Sequence, residues 1–332
     1  MLKRRSFLAA SAAGVAVASL PTTSVGADLA PFRLFDTHAH FYTNEPDKYP
    51  FNASRSRYGA ERMIAKAMAK PMNPEAVFAF WDQVGVEMGT GVQYSSTYQT
   101  DNSYLLDVSA AHPERIIPVV ILAPTDPATP DLLREYANEN RLGGVRFTGG
   151  ANDQGEVAFL SSAADGAWAA ANELGISIVM MPLGSGTSIV LSKIAEYAER
   201  YPNVEIVIDH IGFPRPERLP DTFGLTPEHM ALAGHKNVYY KYTDFLISEM
   251  EAGAAVAGKP MVDLKSFLNH MVGVFGAEQF VWGSDFGNVE VDDVAYVQRA
   301  LDSTSDLTLS QQQAFFYDTA KAVFVPGGRG RG

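Results

Sequence analysis

Short apolar runs alternate with longer amphipathic segments from residue 34 to residue 325. Short runs bounded by turn residues predict buried strands, whereas segments with a helical period predict helices. The predicted strands cover residues 34–40, 89–95, 115–122, 142–147, 176–181, 204–210, 237–243 and 279–285. The predicted helices cover residues 73–85, 101–112, 127–140, 161–174, 188–201, 226–234, 261–276, 292–301 and 310–325.

This repeated strand–helix unit indicates an α/β fold with a parallel sheet whose strands are buried on both faces. Eight units over about 300 residues favour a (β/α)8 TIM barrel over an open, doubly wound sheet. The open sheet would usually show a glycine fingerprint after its first strand, where this chain has Thr37-His38-Ala39-His40. We therefore predict one barrel domain over residues 28–325.

The two ends of the chain differ from the barrel in composition. Lys3-Arg4-Arg5-Ser6 forms a twin-arginine pattern, and a weakly apolar run and a small-residue cleavage site follow it within residues 1–27. The pattern predicts export by the twin-arginine route to the periplasm or beyond, with no stable membrane partner after signal cleavage. The alternative is an uncleaved anchor, although the apolar run is short for a membrane span. Residues 326–332 predict a disordered tail.

Composition narrows the class of partner. The chain has 332 residues, of which 46% are hydrophobic, so it can bury a large core. Its formal net charge of −12 argues against binding nucleic acid. The absence of cysteine fits an oxidising compartment, because there is no thiol to pair or to hold a metal. A small molecule is the expected partner, and the sequence is also compatible with a homo-oligomer.

Four groups with catalytic chemistry fall at the ends of predicted strands. His38 and His40 end the first strand and face the same side of an extended chain. His210 ends the sixth strand and Asp285 ends the eighth. In a closed barrel the eighth strand lies beside the first, so Asp285 is expected next to the histidine pair, with His210 across the mouth. These four residues are the predicted catalytic set.

Five further residues are candidates for binding a substrate. Arg146 is a candidate anion binder because guanidinium groups bind carboxylates with two hydrogen bonds, and its alternative is a structural ion pair. Arg215 lies in a Pro-rich loop at the same barrel face, where a solvated loop charge is the alternative. Lys241 can point inward from the seventh strand or form a salt bridge. Tyr42 and Tyr94 can line the pocket or serve in packing.

Several of these stretches resemble a known superfamily. Asp36-Thr37-His38-Ala39-His40, Asp209-His210-Ile211-Gly212 and Trp282-Gly283-Ser284-Asp285-Phe286 are similar to the amidohydrolase superfamily. The resemblance is greatest to the amidohydrolase-related branch, which contains 2-pyrone-4,6-dicarboxylate lactonase and sugar lactonases. Gly143-Gly144-Val145-Arg146 and Val238-Tyr239-Tyr240-Lys241 fit the same branch. The resemblance implies a barrel hydrolase over residues 33–324.

The chain departs from the superfamily pattern at three places. Its fourth strand carries Arg146 where many members have a Lys or Glu that bridges two metals, so a binuclear site is not expected. Its fifth strand ends in Met180-Met181-Pro182, where decarboxylases of the family carry a histidine. Phe286-Gly287-Asn288 follows Asp285, where lactonases often have an aromatic residue, Pro and His.

Two mechanisms stay open. In the first, one divalent ion such as zinc is held by His38 and His40, with Asp285 or His210 completing the site, and it lowers the pKa of a bound water to about 7. In the second there is no metal: Asp285 acts as general base, and His38, His40 and His210 stabilise the oxyanion. The resemblance implies that both are feasible, since the branch contains metal-free and zinc-dependent lactonases.

The expected function is hydrolysis of a lactone or similar cyclic ester of a carboxylated or sugar-acid substrate by an activated water. A decarboxylase or a lactone isomerase on the same scaffold is the alternative within enzymes. A periplasmic binding protein that has lost catalysis is the alternative from another class.

Overall fold

The computed structural model describes residues 29–288 and 293–327, so the predicted export signal and most of the predicted tail lie outside the described residues. The strands are β1 Leu34–Ala39, β2 Val86–Val92, β3 Ile116–Ile121, β4 Gly144–Gly149, β5 Ser177–Pro182, β6 Ile206–Ile208, β7 Val238–Thr243 and β8 Phe280–Gly283. The α-helices are α1 Ala60–Ala69, α2 Pro74–Val84, α3 Ser103–Ala111, α4 Thr129–Glu139, α5 Asp165–Leu174, α6 Thr187–Arg200, α7 Pro227–Ala231, α8 Asp244–Val256, α9 Leu264–Phe275, α10 Asp293–Ser303, α11 Leu309–Gln313 and α12 Thr319–Phe324. None of the described helices is long and apolar enough to cross a membrane.

The eight strands pair in chain order, each parallel to the next. The barrel closes where a parallel bridge joins Ala39 to Phe286 and the His40 amide donates to the Phe286 carbonyl at 2.9 Å. The predicted TIM barrel is therefore confirmed. Helices cover the outside of the sheet, and the carboxyl ends of all eight strands open on one face.

Some predicted boundaries are wrong, and two helices were missed. β2 begins at Val86 rather than at residue 89, because Gly85 ends α2 in the left-handed conformation (φ 82°) and the strand follows at once. Helix α8 was not predicted because Thr243 ends β7 and also caps α8, accepting the Leu246 amide proton with its side chain. Helix α1 was also missed. Where elements meet without a loop, the sequence offers no turn signal between them.

A buried carboxylate joins the first strand to the last. Asp36 Oδ1 accepts the backbone amide protons of His38 and Ser284, both at 2.9 Å. Asp36 Oδ2 accepts Trp81 Nε1–H at 2.9 Å and the Ser284 hydroxyl at 2.6 Å. Asp36 is fully buried, so burial raises its pKa while these hydrogen bonds oppose the rise. We call this arrangement of Asp36, His38, Trp81 and Ser284 the Asp36 seam.

A glycine lets the two strands approach closely beside the seam. A Cβ on Gly283 would lie 2.6 Å from the Cβ of His38 and 3.0 Å from its backbone nitrogen. Nearby, the Thr37 hydroxyl donates to the Trp282 carbonyl at 2.7 Å. Since a larger residue at 283 would displace His38, this glycine sets where the histidine lies.

The Asp36 seam predicts a large stability effect for one carboxylate. Asp36→Ala removes the acceptor of four buried donors, so we expect the free energy of unfolding to fall by roughly 3–6 kcal/mol. Ser284→Ala removes one of the donors and should cost roughly 1–2 kcal/mol. Urea denaturation measures both. Equal losses in the two variants would contradict the role given to the carboxylate.

A second buried hydrogen-bonding group lies in α7, where His229 completes a capping box with Thr226. His229 Nδ1 accepts the Thr226 amide proton at 3.2 Å, and Nε2–H donates to the Ile211 carbonyl at 3.1 Å. The Nδ1 contact requires the neutral ring, because a protonated ring has no acceptor nitrogen. Burial lowers the pKa of His229 to about 4, although its backbone hydrogen bonds oppose this.

This geometry predicts a pH dependence of stability. The pKa of His229 is lower in the folded chain than in the unfolded chain, so its contribution is present above about pH 6.5 and is lost as the pH falls towards 4. We expect roughly 2 kcal/mol of this loss between about pH 7 and pH 5. In His229→Gln, glutamine keeps the capping box and does not titrate, so urea denaturation should show a smaller loss. The same loss in both proteins would contradict the assignment.

Candidate active site

The two histidines of the first strand reach the barrel mouth together. The rings of His38 and His40 are buried, with centroids 4.9 Å apart. His40 Nδ1 lies 2.8 Å from the Val92 carbonyl, which can only accept, so Nδ1 carries a proton and Nε2 faces the site. Nε2 of His40 is 3.2 Å from Asp285 Oδ1, and Nε2 of His38 is 3.6 Å from the same oxygen.

Asp285 follows the last strand in a left-handed backbone conformation, with φ of 55°. This conformation is uncommon for a residue with a side chain and turns the carboxylate towards the histidines. Asp285 Oδ2 accepts a hydrogen bond from Asn288 Nδ2 at 2.9 Å. Burial alone would raise the pKa of Asp285, but the hydrogen bond and charge of His40 outweigh it, with help from His210 and Asn288. The carboxylate therefore stays ionised.

The residues present fit a single divalent cation. One ligand atom each of His38, His40 and Asp285 lies within 4.8 Å of the others, and all three side chains are buried. Neither ring nitrogen of His38 has a hydrogen-bond partner within residues 29–288 and 293–327. Burial and the charges of Lys241 and Arg146 hold the pKa of His38 well below its usual range, so its ring offers a lone pair. Two imidazoles and one carboxylate suit zinc or manganese.

His210 lies at the same face of the barrel, in direct contact with His38. Its ring stacks on that of His38 with centroids 5.5 Å apart, and its Nδ1 is 2.7 Å from the Thr243 hydroxyl. Burial is the main cause that lowers the pKa of His210, to about 4, so the ring is neutral. The backbone is left-handed at His210, Ile211, Gly212 and Phe213, with φ of 55°, 53°, 69° and 57°. This left-handed turn directs the ring into the site.

A buried charge cluster lies beneath the histidines. Asp209 accepts Arg146 Nε–H at 2.8 Å, and its other oxygen is 3.1 Å from Lys241 Nζ and 3.6 Å from His38 Nδ1. Burial would raise the pKa of Asp209, but Lys241 and Arg146 lower it to about 2. Burial also lowers the pKa of Lys241, against the attraction of Asp209. Arg146 and Lys241 thus form ion pairs with Asp209, which is the alternative to substrate binding given for each of them. Substrate binding by either residue stays a prediction.

The two candidate tyrosines form one wall of the site. The Tyr94 ring lies 4.4 Å from that of His40, and Tyr42 stacks on Tyr94 at 5.4 Å. The Tyr94 hydroxyl donates to Asn288 Oδ1 at 3.0 Å, and the Tyr42 hydroxyl donates to the Gly287 carbonyl at 3.0 Å. Both rings are buried, so they pack around His40 and fix its position.

An open cavity of about 770 Å³ adjoins the His210 side of the site. Phe213 and Phe245 line it and also contact the His210 ring, with centroids 5.0 and 4.9 Å away. Arg215 lines the same cavity, and its nearest acidic partner, Glu249, is 4.0 Å away. The Arg215 side chain can therefore contact a ligand in this cavity, whereas Arg146 is held in the buried charge cluster with Asp209.

Sequence reasoning missed four residues that shape the site: Asp209, Thr243, Asn288 and Arg57. A signal existed for Asp209, since it ends the sixth predicted strand directly before His210. The other three lie in loops or at a helix start, where no residue spacing marked them.

The fold and the site together define a (β/α)8-barrel hydrolase with its chemistry at the carboxyl ends of the strands. The chain belongs to the amidohydrolase family, whose model matches residues 35–325. The chain is 26% identical over 273 residues to an L-fucono-1,5-lactonase of Burkholderia ambifaria. The aligned region covers 77% of this chain and 80% of the lactonase.

Solved structures share the barrel. A putative 2-pyrone-4,6-dicarboxylic acid hydrolase from Pseudomonas putida superposes with a TM-score of 0.67 at 23% identity, over 88% of this chain and 97% of that one. A 5-carboxyvanillate decarboxylase from Novosphingobium aromaticivorans, complexed with manganese, superposes with a TM-score of 0.62 at 15% identity, over 90% and 98% of the two chains. At these identities the likeness concerns the fold.

The geometry predicts one metal ion per chain. We expect the wild type to bind a single Mn²⁺ or Zn²⁺ in a calorimetric titration of chelator-treated protein. His40→Ala removes a ligand and should weaken binding by more than about tenfold, since even indirect partners of a metal contribute that much. His235→Gln, at the turn before the amino end of β7 and away from both the site and the cavity, is the matched control. Unchanged affinity in His40→Ala would contradict this ligand set.

Proposed function

We propose that the protein opens a lactone or similar cyclic ester by attack of water. The observation that carries the proposal is Asp285, a fully buried yet ionised carboxylate with one oxygen facing His38 and His40. A carboxylate in that position can accept the proton of an attacking water. The lactonase and pyrone hydrolase among the similar proteins support the same reaction class.

The residues take separate roles in this proposal. Asp285 Oδ1 removes a proton as water attacks the ring carbonyl, and it returns that proton to the ring oxygen as the bond opens. Thr243 accepts the Leu246 amide proton at 3.2 Å, so its own hydroxyl proton is available for His210 Nδ1. His210 then keeps Nε2–H as a donor for the oxyanion. A divalent ion held by His38, His40 and Asp285 would polarise the carbonyl and acidify the water.

The cavity beside His210 supports a carboxylated or sugar-acid substrate. Arg57 and Arg215 both line it, and neither has a carboxylate partner closer than 4.0 Å among the described residues. Guanidinium groups so placed can bind a carboxylate with two parallel hydrogen bonds. Tyr42 and Tyr94 would then enclose the opposite side of the ring. Export to the periplasm stays a prediction from residues 1–27.

Decarboxylation is the rival reaction, because decarboxylases share this barrel. At the end of β5, where such a site would need another ligand, Met181 presents its sulfur to Arg146 at 2.9 Å. A thioether engaged by a guanidinium is a poor ligand for a hard divalent ion. This contact favours hydrolysis over decarboxylation.

The proposal predicts that Asp285→Asn loses at least about a thousandfold in kcat while keeping its thermal midpoint, because the amide cannot accept the proton. Acid release from a panel of sugar and dicarboxylate lactones, followed by pH-stat, measures turnover. His235→Gln, which is remote from the cavity, should match the wild type.

Other products identify the alternatives. Carbon dioxide release would indicate a decarboxylase, and a rearranged lactone without acid release would indicate an isomerase. Binding without any conversion would indicate a binding protein. Unchanged turnover in Asp285→Asn would refute the role of this carboxylate.

A further inference from the structure

Asn288 touches the candidate general base on one side and a surface loop on the other. Its Nδ2 donates to Asp285 Oδ2 at 2.9 Å. Its Oδ1 accepts the hydroxyl protons of Tyr58 at 2.9 Å and Tyr94 at 3.0 Å, and Arg57 donates to it at 3.4 Å. One amide therefore connects the site to three residues of two other segments.

The orientation of this amide follows from its neighbours. A carboxylate only accepts hydrogen bonds, so the group facing Asp285 must be the NH2. The guanidinium of Arg57 only donates, so the group facing it must be the carbonyl oxygen. A flipped amide would lose both contacts, which means that the protein environment fixes the direction of Asn288.

Arg57 and Tyr58 belong to residues 54–59, the exposed end of the loop between β1 and α1, which we call the lid loop. The Arg57 guanidinium lies over the Phe245 ring, 4.5 Å from its centroid, and over the Tyr58 ring at 4.6 Å. Phe245 in turn contacts the His210 ring. Arg57 also lines the cavity proposed for the substrate. Through Arg57 and Tyr58, the lid loop thus covers both the cavity and the site.

We propose that Asn288 is a positioning residue that couples closure of the lid loop to the orientation of Asp285; this inference rests on the proposed function. With the loop closed, Tyr58 and Arg57 hold the carbonyl oxygen, and the NH2 holds Asp285 Oδ2. Asp285 Oδ1 is then left facing the histidines and the reacting water. With the loop open, the amide loses two of its three outer donors and the carboxylate loses its fixed direction. Water activation is thereby confined to the closed state.

Three variants test the NH2 group and the carbonyl oxygen of Asn288 separately. Asn288→Asp keeps an acceptor for Tyr58, Tyr94 and Arg57 but replaces the donor to Asp285. Tyr58→Phe removes one lid contact and keeps that donor. Asn288→Ala removes both sides. Each variant is first checked for an unchanged thermal midpoint, so that loss of fold is not read as loss of function.

Steady-state kinetics on a lactone that the wild type opens provide the first readout. Asn288→Asp should lower kcat by more than about tenfold with KM changed less than about threefold, because the carboxylate is misplaced only in the chemical step. Tyr58→Phe should raise KM by a larger factor than it lowers kcat, because it weakens closure over the bound substrate. The same division between kcat and KM in both variants would overturn the inference.

Hydrogen exchange of the backbone amides in residues 54–59 provides a readout that needs no substrate. Asn288→Ala and Tyr58→Phe should exchange faster than the wild type, and Asn288→Asp should stay close to it. Unchanged exchange in Asn288→Ala overturns the inference by itself. If the wild type opens no lactone, the proposed function fails, whereas the exchange rates still decide whether Asn288 holds the lid loop.

Discussion

The hydrogen bonds to Asp36 are the constraint on which the rest of this structure depends. A barrel must join its last strand to its first, and β8 is only four residues long. Both the His38 and the Ser284 amides bind the same carboxylate oxygen, so the residues that follow them are held in fixed relation. His40 lies two residues after the first anchor point, and Asp285 directly follows the second. The hydrogen bonds that join the first strand to the last therefore also position the residues of the site.

Charge balance explains how so many ionisable groups share a buried volume. Asp209 lies against two cations, and Asp285 lies against an imidazole and an amide. Each carboxylate is ionised because its partners outweigh the cost of burial. The two imidazoles of His38 and His210 are neutral for the opposite reason, since burial and nearby cations disfavour their charged forms. The site therefore offers one ionised carboxylate, Asp285, with the neutral imidazoles of His38 and His210 beside it.

The sequence was informative wherever strand order determines position. In a barrel the carboxyl ends of all strands meet at one face, so strand order alone predicts that His38, His40, His210 and Asp285 lie together. Side-chain direction was not predictable in the same way. The role of Asn288 depends on the left-handed backbone at Asp285, and no spacing of residues reveals such a turn. The pairing of Arg146 with Asp209 likewise depends on which cation each carboxylate faces.

The left-handed turn from His210 to Phe213 lowers the stability of the folded protein. Left-handed backbone costs roughly 1–2 kcal/mol per residue with a side chain, and Ile211 is β-branched, which makes it a particularly poor occupant. Selection for thermal tolerance alone would favour glycine at such positions, because glycine removes the strain. Yet the turn is what points the His210 ring at its neighbours. In directed evolution, substitutions in this segment that raise thermal stability are therefore expected to lower activity.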